Sequence, residues 1–562
     1  MDHNLHRTIL LAGIILWLAC AKQMPPPGGP VDTIPPEIVR SIPAPGETNV
    51  PTRTKVEITF SEAMQHKSVE NAIFIAPWPS ERVWFRWSRK KLTIQFGDTL
   101  KENRTYVVTI GAKASDLRNN QMKESFSLAF STGDHIDEGE IRGAVYGAMG
   151  LEGTLVCAYA LQESNDVDPS RLLADYYTQT SQNGRYQLRH VAPGRYRLFA
   201  IRDRDANRKY SRGIDELGIP TRDVELTSEK LSIGDINFQI FIEDTIPPAL
   251  KSVYALHSTA IVVRFSETLR EFDEYQPEKY FDIALAKDSI QKLSIRYCYQ
   301  NRFDPATVVL TTAPQRPEPY VLSVSHLFDL AGLAVDSTQN RLEFTGNVVP
   351  DTIRPTIVFR SIADGATNIQ LKPEIRFGFS EPIDPATFER SLSLRERDSL
   401  FVSGKFQWNN PADVIFQVDN VLRSAWEYEM HLEIDSVQDL AGNRLADSLA
   451  QICFRTINQD TLSAIAGTVI DESPNAAGKI YMTAKSERNT YQLVLGGPGE
   501  YHFQDILPGI YIITGFRDAD SNGVYSYGQI MPFRPAERFF YYPDSIKVRS
   551  RWPNIGNDIL LK

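Results

Sequence analysis

Two short runs carry side chains with the types and spacing to hold a metal ion. They are Asp203-x-Asp205-x-Asn207 and, 315 residues further on, Asp518-x-Asp520-x-Asn522-Gly523. Oxygen ligands at alternate positions are how a calcium loop begins, because a hard cation gathers its oxygens from a tightly folded stretch of chain. An EF-hand would continue to a glutamate at position 12, but that place holds Ile214 in one run and Gln529 in the other. Asp215 or Glu216 offers the first run a late carboxylate, and the second run has none nearby. The commoner role for such a run is an Asx-rich loop whose side chains cap their own backbone. Calcium is the alternative, with Asp203, Asp205, Asn207, Asp518, Asp520 and Asn522 as its ligands.

The remaining chemistry-bearing residues argue against an enzyme. Phe60-Ser61-Glu62, Phe265-Ser266-Glu267 and Phe379-Ser380-Glu381 place a serine beside a carboxylate. Neighbours on a strand point to opposite faces, so no serine–glutamate relay forms within a triplet; a strand-end role is expected. The nine histidines are scattered, and the four cysteines, Cys20, Cys157, Cys298 and Cys453, show neither zinc nor CxxC spacing. A disulfide framework is not expected. Residues 78–91, WPSERVWFRWSRKK, are rich in tryptophan and arginine. Phe85-x-Trp87 aligns with Phe406-x-Trp408 and Tyr297-x-Tyr299 and reads as sandwich core, with Cys298 facing away from its tyrosines. Trp84 then lies on the opposite face and is the candidate ligand residue, suited to a glycan or a partner protein. Phe539-Phe540-Tyr541-Tyr542 reads as a strand apolar on both faces.

The elements that must position these residues repeat. Asp32-Thr33-Ile34-Pro35-Pro36, Asp244-Thr245-Ile246-Pro247-Pro248 and Asp351-Thr352-Ile353-Arg354-Pro355 each lead to an alternating strand that ends in Phe-Ser-Glu. Those strands place Val56/Ile58/Phe60, Ile261/Val263/Phe265 and Ile375/Phe377/Phe379 at period two, the mark of a strand with one buried face. A later strand begins at Tyr106, Tyr320 or Tyr428, and an Asp-Leu turn follows at Asp116, Asp329 or Asp439. A Gly-x-Thr-Asn turn at Gly46 and Gly365 is missing from the middle copy. Taken together these motifs resemble the bacterial Ig-like domain of S-layer type. The resemblance implies Ig-like sandwiches at 32–134, 244–348 and 351–457.

A second repeat is tighter. Gly184-x-Tyr186 and Pro193-Gly194-x-Tyr196 return as Gly499-x-Tyr501 and Pro508-Gly509-x-Tyr511. Upstream, Ile141-x-Gly143-x-Val145 matches Ile465-x-Gly467-x-Val469. Segments 139–243 and 462–562 thus resemble the transthyretin-like, or carboxypeptidase-regulatory-like, sandwich. The collagen-adhesin B type of that fold can carry Lys–Asn isopeptide bonds. None is expected here, since the first copy has Arg142 but no lysine in its opening strand and Lys479 is poorly placed.

A chain of 562 residues is too long for one core, and its apolar fraction of 42% is ordinary for folded protein. A net charge of −10 without a basic block excludes a nucleic-acid partner. Arg7 followed by the apolar stretch 8–19 has the anatomy of a secretory signal and is too short to span a bilayer. Leu18-Ala19-Cys20 resembles a bacterial lipobox, which implies a signal peptide at 1–19 and an acylated Cys20. Residues 20–31 follow as a proline-rich tether. The expected protein is all-β: tandem β-sandwiches, three Ig-like and two transthyretin-like, behind a lipoprotein signal peptide. The expected role is a non-catalytic, membrane-anchored envelope lipoprotein, a spacer or binding protein whose partner is an envelope protein or a glycan. The alternative is a glycan-binding accessory lipoprotein of a nutrient-uptake system.

Overall fold

The computed structural model describes residues 32–562 except 80–81, 149, 162–165, 302, 398–399, 448–450 and 474–475. The expected signal peptide, Cys20 and the tether lie outside the described residues. The described chain is built of mainly antiparallel sheets, with a few parallel pairings, that enclose five separate cores. It divides into two compact units. One holds the described residues up to Ser211 with Asp215–Phe241 and Tyr527–Ala536; the other holds Arg212–Ile214, Ile242–Ser526 and Glu537–Lys562. All-β tandem sandwiches are therefore the observed fold class.

In the first unit, strands Ile38–Ile42, Lys55–Phe60, Lys91–Phe96 and Val83–Ser88 form one sheet in that order. Ile73–Ala76, Thr105–Ile110 and Phe126–Ser131 form the other, and a single core joins the two. Val56, Ile58 and Phe60 all point into this core, as their alternation requires. In the second unit, segments 244–348 and 351–457 repeat the four-strand order: Leu250–His257, Ala260–Phe265, Thr307–Thr312, Ile295–Gln300, and Ile357–Arg360, Glu374–Phe379, Asp413–Val418, Gly404–Asn410. The Gly-x-Thr-Asn turn has a backbone reason. Gly46, Asn49, Gly365 and Asn368 all have positive φ, a conformation that glycine and asparagine adopt most cheaply. The middle copy lacks this turn and runs straight through as the eight-residue strand Leu250–His257.

The recurrent tyrosine is a corner device. The Tyr106, Tyr320 and Tyr428 hydroxyls accept hydrogen bonds from the N–H groups of Lys101 (2.8 Å), Arg316 (3.1 Å) and Arg423 (2.8 Å). Each ring stacks on the phenylalanine of the closing strand, Phe130, Phe344 or Phe454. A tyrosine tied back to the chain just upstream is a known anchor of Ig-like corners.

Segments 139–243 and 462–562 use their motif tyrosines alike. The Tyr186 hydroxyl donates to the Ile236 carbonyl and that of Tyr501 to the Asn557 carbonyl, both at 2.7 Å. Tyr196 and Tyr511 donate to the Ala192 and Leu507 carbonyls, both at 2.8 Å. The glycine of Ile-x-Gly-x-Val makes room for this packing. A Cβ on Gly143 would lie 2.0 Å from the Ile236 oxygen, and one on Gly467 would lie 2.3 Å from the Asn557 oxygen.

Candidate functional site

Each Asp-rich loop leaves the end of a long strand, Gly194–Arg202 in one case and Gly509–Asp518 in the other. In the first loop Asp203 accepts from the Asn207 (3.2 Å) and Arg208 (2.8 Å) N–H groups. Asp205 accepts from the Asn207 N–H, the Asn207 amide and the Ser211 hydroxyl. Asp518 and Asp520 repeat these bonds with Asn522, Gly523 and Ser526. Asn207 and Asn522 accept from Lys209 (2.6 Å) and Val524 (2.8 Å). All six predicted ligand residues therefore come together as two self-capped turns.

A third carboxylate closes each loop. Buried Asp215 accepts from the Arg204 and Ser211 N–H groups, both at 2.8 Å. Glu537 accepts from Ala519 (2.5 Å) and Ser526 (3.0 Å) in the same way. Oxygens of Asp203, Asp205 and Asp215 lie within 4.8 Å of one another, as do those of Asp518, Asp520 and Glu537. Asp215 was foreseeable. The reading that the second run has no third acid is corrected by Glu537, which follows Ser526 by eleven residues where Asp215 follows Ser211 by four. Burial raises the pKa of Asp203, and the nearby Asp205 and Asp215 add to the rise against the N–H bonds from Arg208 and Asn207. Burial likewise raises Glu537. The acids able to hold a cation here already serve as acceptors for their own backbone.

Trp84 sits on the edge strand Val83–Ser88 and is 43% exposed, on the same face as exposed Arg86. Phe85 and Trp87 pack against the core, as do Phe406 and Trp408. The middle copy breaks this pattern. There Cys298 lies in the core, while Tyr297 and Tyr299 line a cleft on the other face. The cause is a β-bulge: Ile295 pairs with Thr312, but Tyr297 pairs with Thr311, so one extra residue shifts the alternation. The expectation that Tyr297 and Tyr299 are core is thus reversed. Phe539 and Phe540 are buried, so that run presents no aromatic platform.

The cleft that the bulge opens has a volume of about 610 Å³ and no counterpart in the sequence reading. Tyr254, Tyr297, Tyr299, Arg264 and Arg296 line it, together with His257, Asp351 and Glu381. His257 Nε2 lies 3.2 Å from Asp351 Oδ2. Glu381 is 6% exposed, and its Oε1 has no hydrogen-bond partner among the described residues. Burial, then the charges of Asp351 and Asp439, push its carboxyl up to about 8. The one sequence signal was a cysteine in register with an aromatic-flanked core position.

Two segments of the chain match a family model. Residues 32–132 and 351–456 match the family described as "Bacterial Ig-like domain". A comparison with curated proteins gives no match. Among solved structures, the chain is similar to the N-terminal part of the bacterial S-layer protein SbsC at 14% identity and a TM-score of 0.17, covering 37% of this chain and 44% of that one. A structure of SbsC domains 1–6 is similar at 8% identity and a TM-score of 0.16, over 92% of this chain and 67% of that one. L,D-transpeptidase 1 of Mycobacterium tuberculosis is similar at 14% identity and a TM-score of 0.15, over 28% and 80%. The chain spans less than half the length of the first of these. No helix among the described residues is long and apolar enough to cross a membrane.

Proposed function

We propose that the protein is a non-catalytic, exported bacterial lipoprotein that acts as a multi-domain β-sandwich spacer or binding protein of the cell envelope, in adhesion or scaffolding. Acylated Cys20 anchors it, residues 20–31 tether it, and the sandwiches between 32 and 562 carry its surface away from the membrane. The observation that supports this reading most is the bacterial Ig-like domain at 32–132 and again at 351–456, behind a segment with signal-peptide and lipobox features. The test is fractionation and protease shaving of intact cells that produce the chain. Cys20→Ala should move the protein from the membrane fraction to the soluble one, and retention on the membrane refutes the anchor.

Trp84 supports a second reading, a glycan-binding accessory lipoprotein of an uptake system. An indole exposed on an edge strand with Arg86 beside it offers a stacking face and a donor. A glycan array probed with wild type and Trp84→Ala separates the two readings. Binding that Trp84→Ala abolishes favours glycan capture, and silence on the array favours the spacer.

A further inference from the structure

In the first and middle Ig-like segments the three motif acids are far apart in sequence and meet in space. An oxygen from each of Asp32, Glu62 and Asp116 lies within 4.8 Å of the others, and the same holds for Asp244, Glu267 and Asp329. These are the aspartate that opens the segment, the glutamate that ends the Phe-Ser-Glu strand and the aspartate of the Asp-Leu turn. Three carboxylates this close repel one another unless a proton, a donor or a cation sits among them.

In the first and third copies an asparagine amide supplies a donor. Asn120 Nδ2 donates to Asp116 Oδ2 (2.9 Å) and to the Asp32 carbonyl (3.1 Å). Asn443 Nδ2 donates to Asp439 Oδ2 (2.8 Å) and to the Asp351 carbonyl (3.2 Å). The middle copy has Leu333 at this place. The Leu333 N–H still donates to Asp329 Oδ1 at 2.7 Å, as the asparagine N–H groups do to their aspartates. Among the described residues no side chain replaces the amide. Asp329 is 1% exposed, and its Oδ2 is buried without a hydrogen-bond partner among the described residues. With Oδ1 held by its own turn, Oδ2 is the oxygen left facing Asp244 and Glu267. A buried anionic oxygen without a donor is costly, and a native fold seldom keeps one without a ligand.

We propose that Asp244, Glu267 and Asp329 bind a hard divalent cation, calcium by preference, at the point filled by an asparagine amide in the other two Ig-like copies. All three ligands are carboxylates, and oxygen-only sets suit calcium or magnesium rather than softer metals. Asp244 is exposed and Glu267 partly so, which leaves the open side of the site to water. Calcium tolerates such an irregular, part-hydrated shell better than magnesium does. Bound there, the ion would clamp the entry of the segment, the end of its second strand and the Asp-Leu turn.

The test is calorimetric titration of the chelator-stripped full chain with calcium, together with melting temperature, for wild type, Asp329→Asn, Leu333→Asn and the double variant Asp205→Asn/Asp520→Asn. Leu333 is only partly buried, so Leu333→Asn should fold; it restores the amide that fills the point in the sister copies. Wild type should bind calcium and melt higher with it. Asp329→Asn and Leu333→Asn should each lose one equivalent, or weaken it at least about tenfold, while Leu333→Asn should melt higher than wild type without calcium. The double variant, altered only in the Asp-rich loops, should keep that equivalent. No heat and no thermal shift up to about 10 mM calcium, above the range of weak extracellular modules, overturns the proposal. So does unchanged stoichiometry in Leu333→Asn, or binding that disappears only in the double variant. If Asp329→Asn does not fold, Leu333→Asn decides alone.

Discussion

Glu381→Gln should spare the segment 351–457 a loss of stability that wild type suffers as pH rises. Glu381 is buried, lacks a donor at Oε1 and faces two further carboxylates, Asp351 and Asp439. The folded state therefore holds its proton up to about pH 8, whereas an ordinary glutamate releases it near 4.5. A carboxyl raised on folding contributes stability that is fully present below the unfolded pKa and lost as pH climbs through the folded one. His257, paired with Asp351, titrates in the same cleft. Burial lowers its pKa from 6.5 despite Asp351 and Asp439, so its contribution is present above 6.5 and fades as pH falls. Above pH 6.5 Glu381 therefore acts alone. One proton costs about 1.4 kcal/mol per pH unit, so the window from 6.5 to 8 holds at most roughly 2 kcal/mol; water in the cleft reduces this to about 1–2. Urea unfolding of wild type and Glu381→Gln at pH 6.5, 7.5 and 8.5 measures it. Wild type should weaken across the series, and the variant should stay level and overtake it by about 1–2 kcal/mol at pH 8.5. Equal slopes in the two proteins, or a variant weaker than wild type at pH 8.5, refute the reasoning.

Three other outcomes are expected. Tyr428→Phe removes the acceptor of the Arg423 N–H and should cost about 1–2 kcal/mol in chemical unfolding. Gly143→Ala and Gly467→Ala drive a Cβ into a carbonyl oxygen and should each cost about 3 kcal/mol or more, visible as protease sensitivity of segments 139–243 and 462–562. In the folded protein a thiol reagent should modify exposed Cys453 and spare Cys157 and Cys298, whose thiols are buried and raised to about 12.

What the sequence made legible was local. Alternation placed Val56, Ile58 and Phe60 in a core, and the recurrence of Tyr106, Tyr320 and Tyr428 marked a repeated strand, whose corner bond only the structure revealed. The Asp-rich runs were visible because their hydrogen bonds span four or five residues. Glu537 was not visible, because it reaches its loop across a longer connection. Nor was the meeting of Asp244, Glu267 and Asp329, which strand parity alone cannot foresee. Parity explains why a serine and its neighbouring glutamate diverge. It does not say which distant acids the glutamate then meets. The bulge at Ile295–Tyr297 escaped for a related reason, since a composition-based alignment carries no record of where a ladder slips.

That slip has a meaning for how such chains diversify. One added residue exchanged the inside and the outside of a strand and left the scaffold standing, so a repeated module can change the side chains on its outer face in a single step. Its sisters, still in the original phase, keep carrying the structural burden.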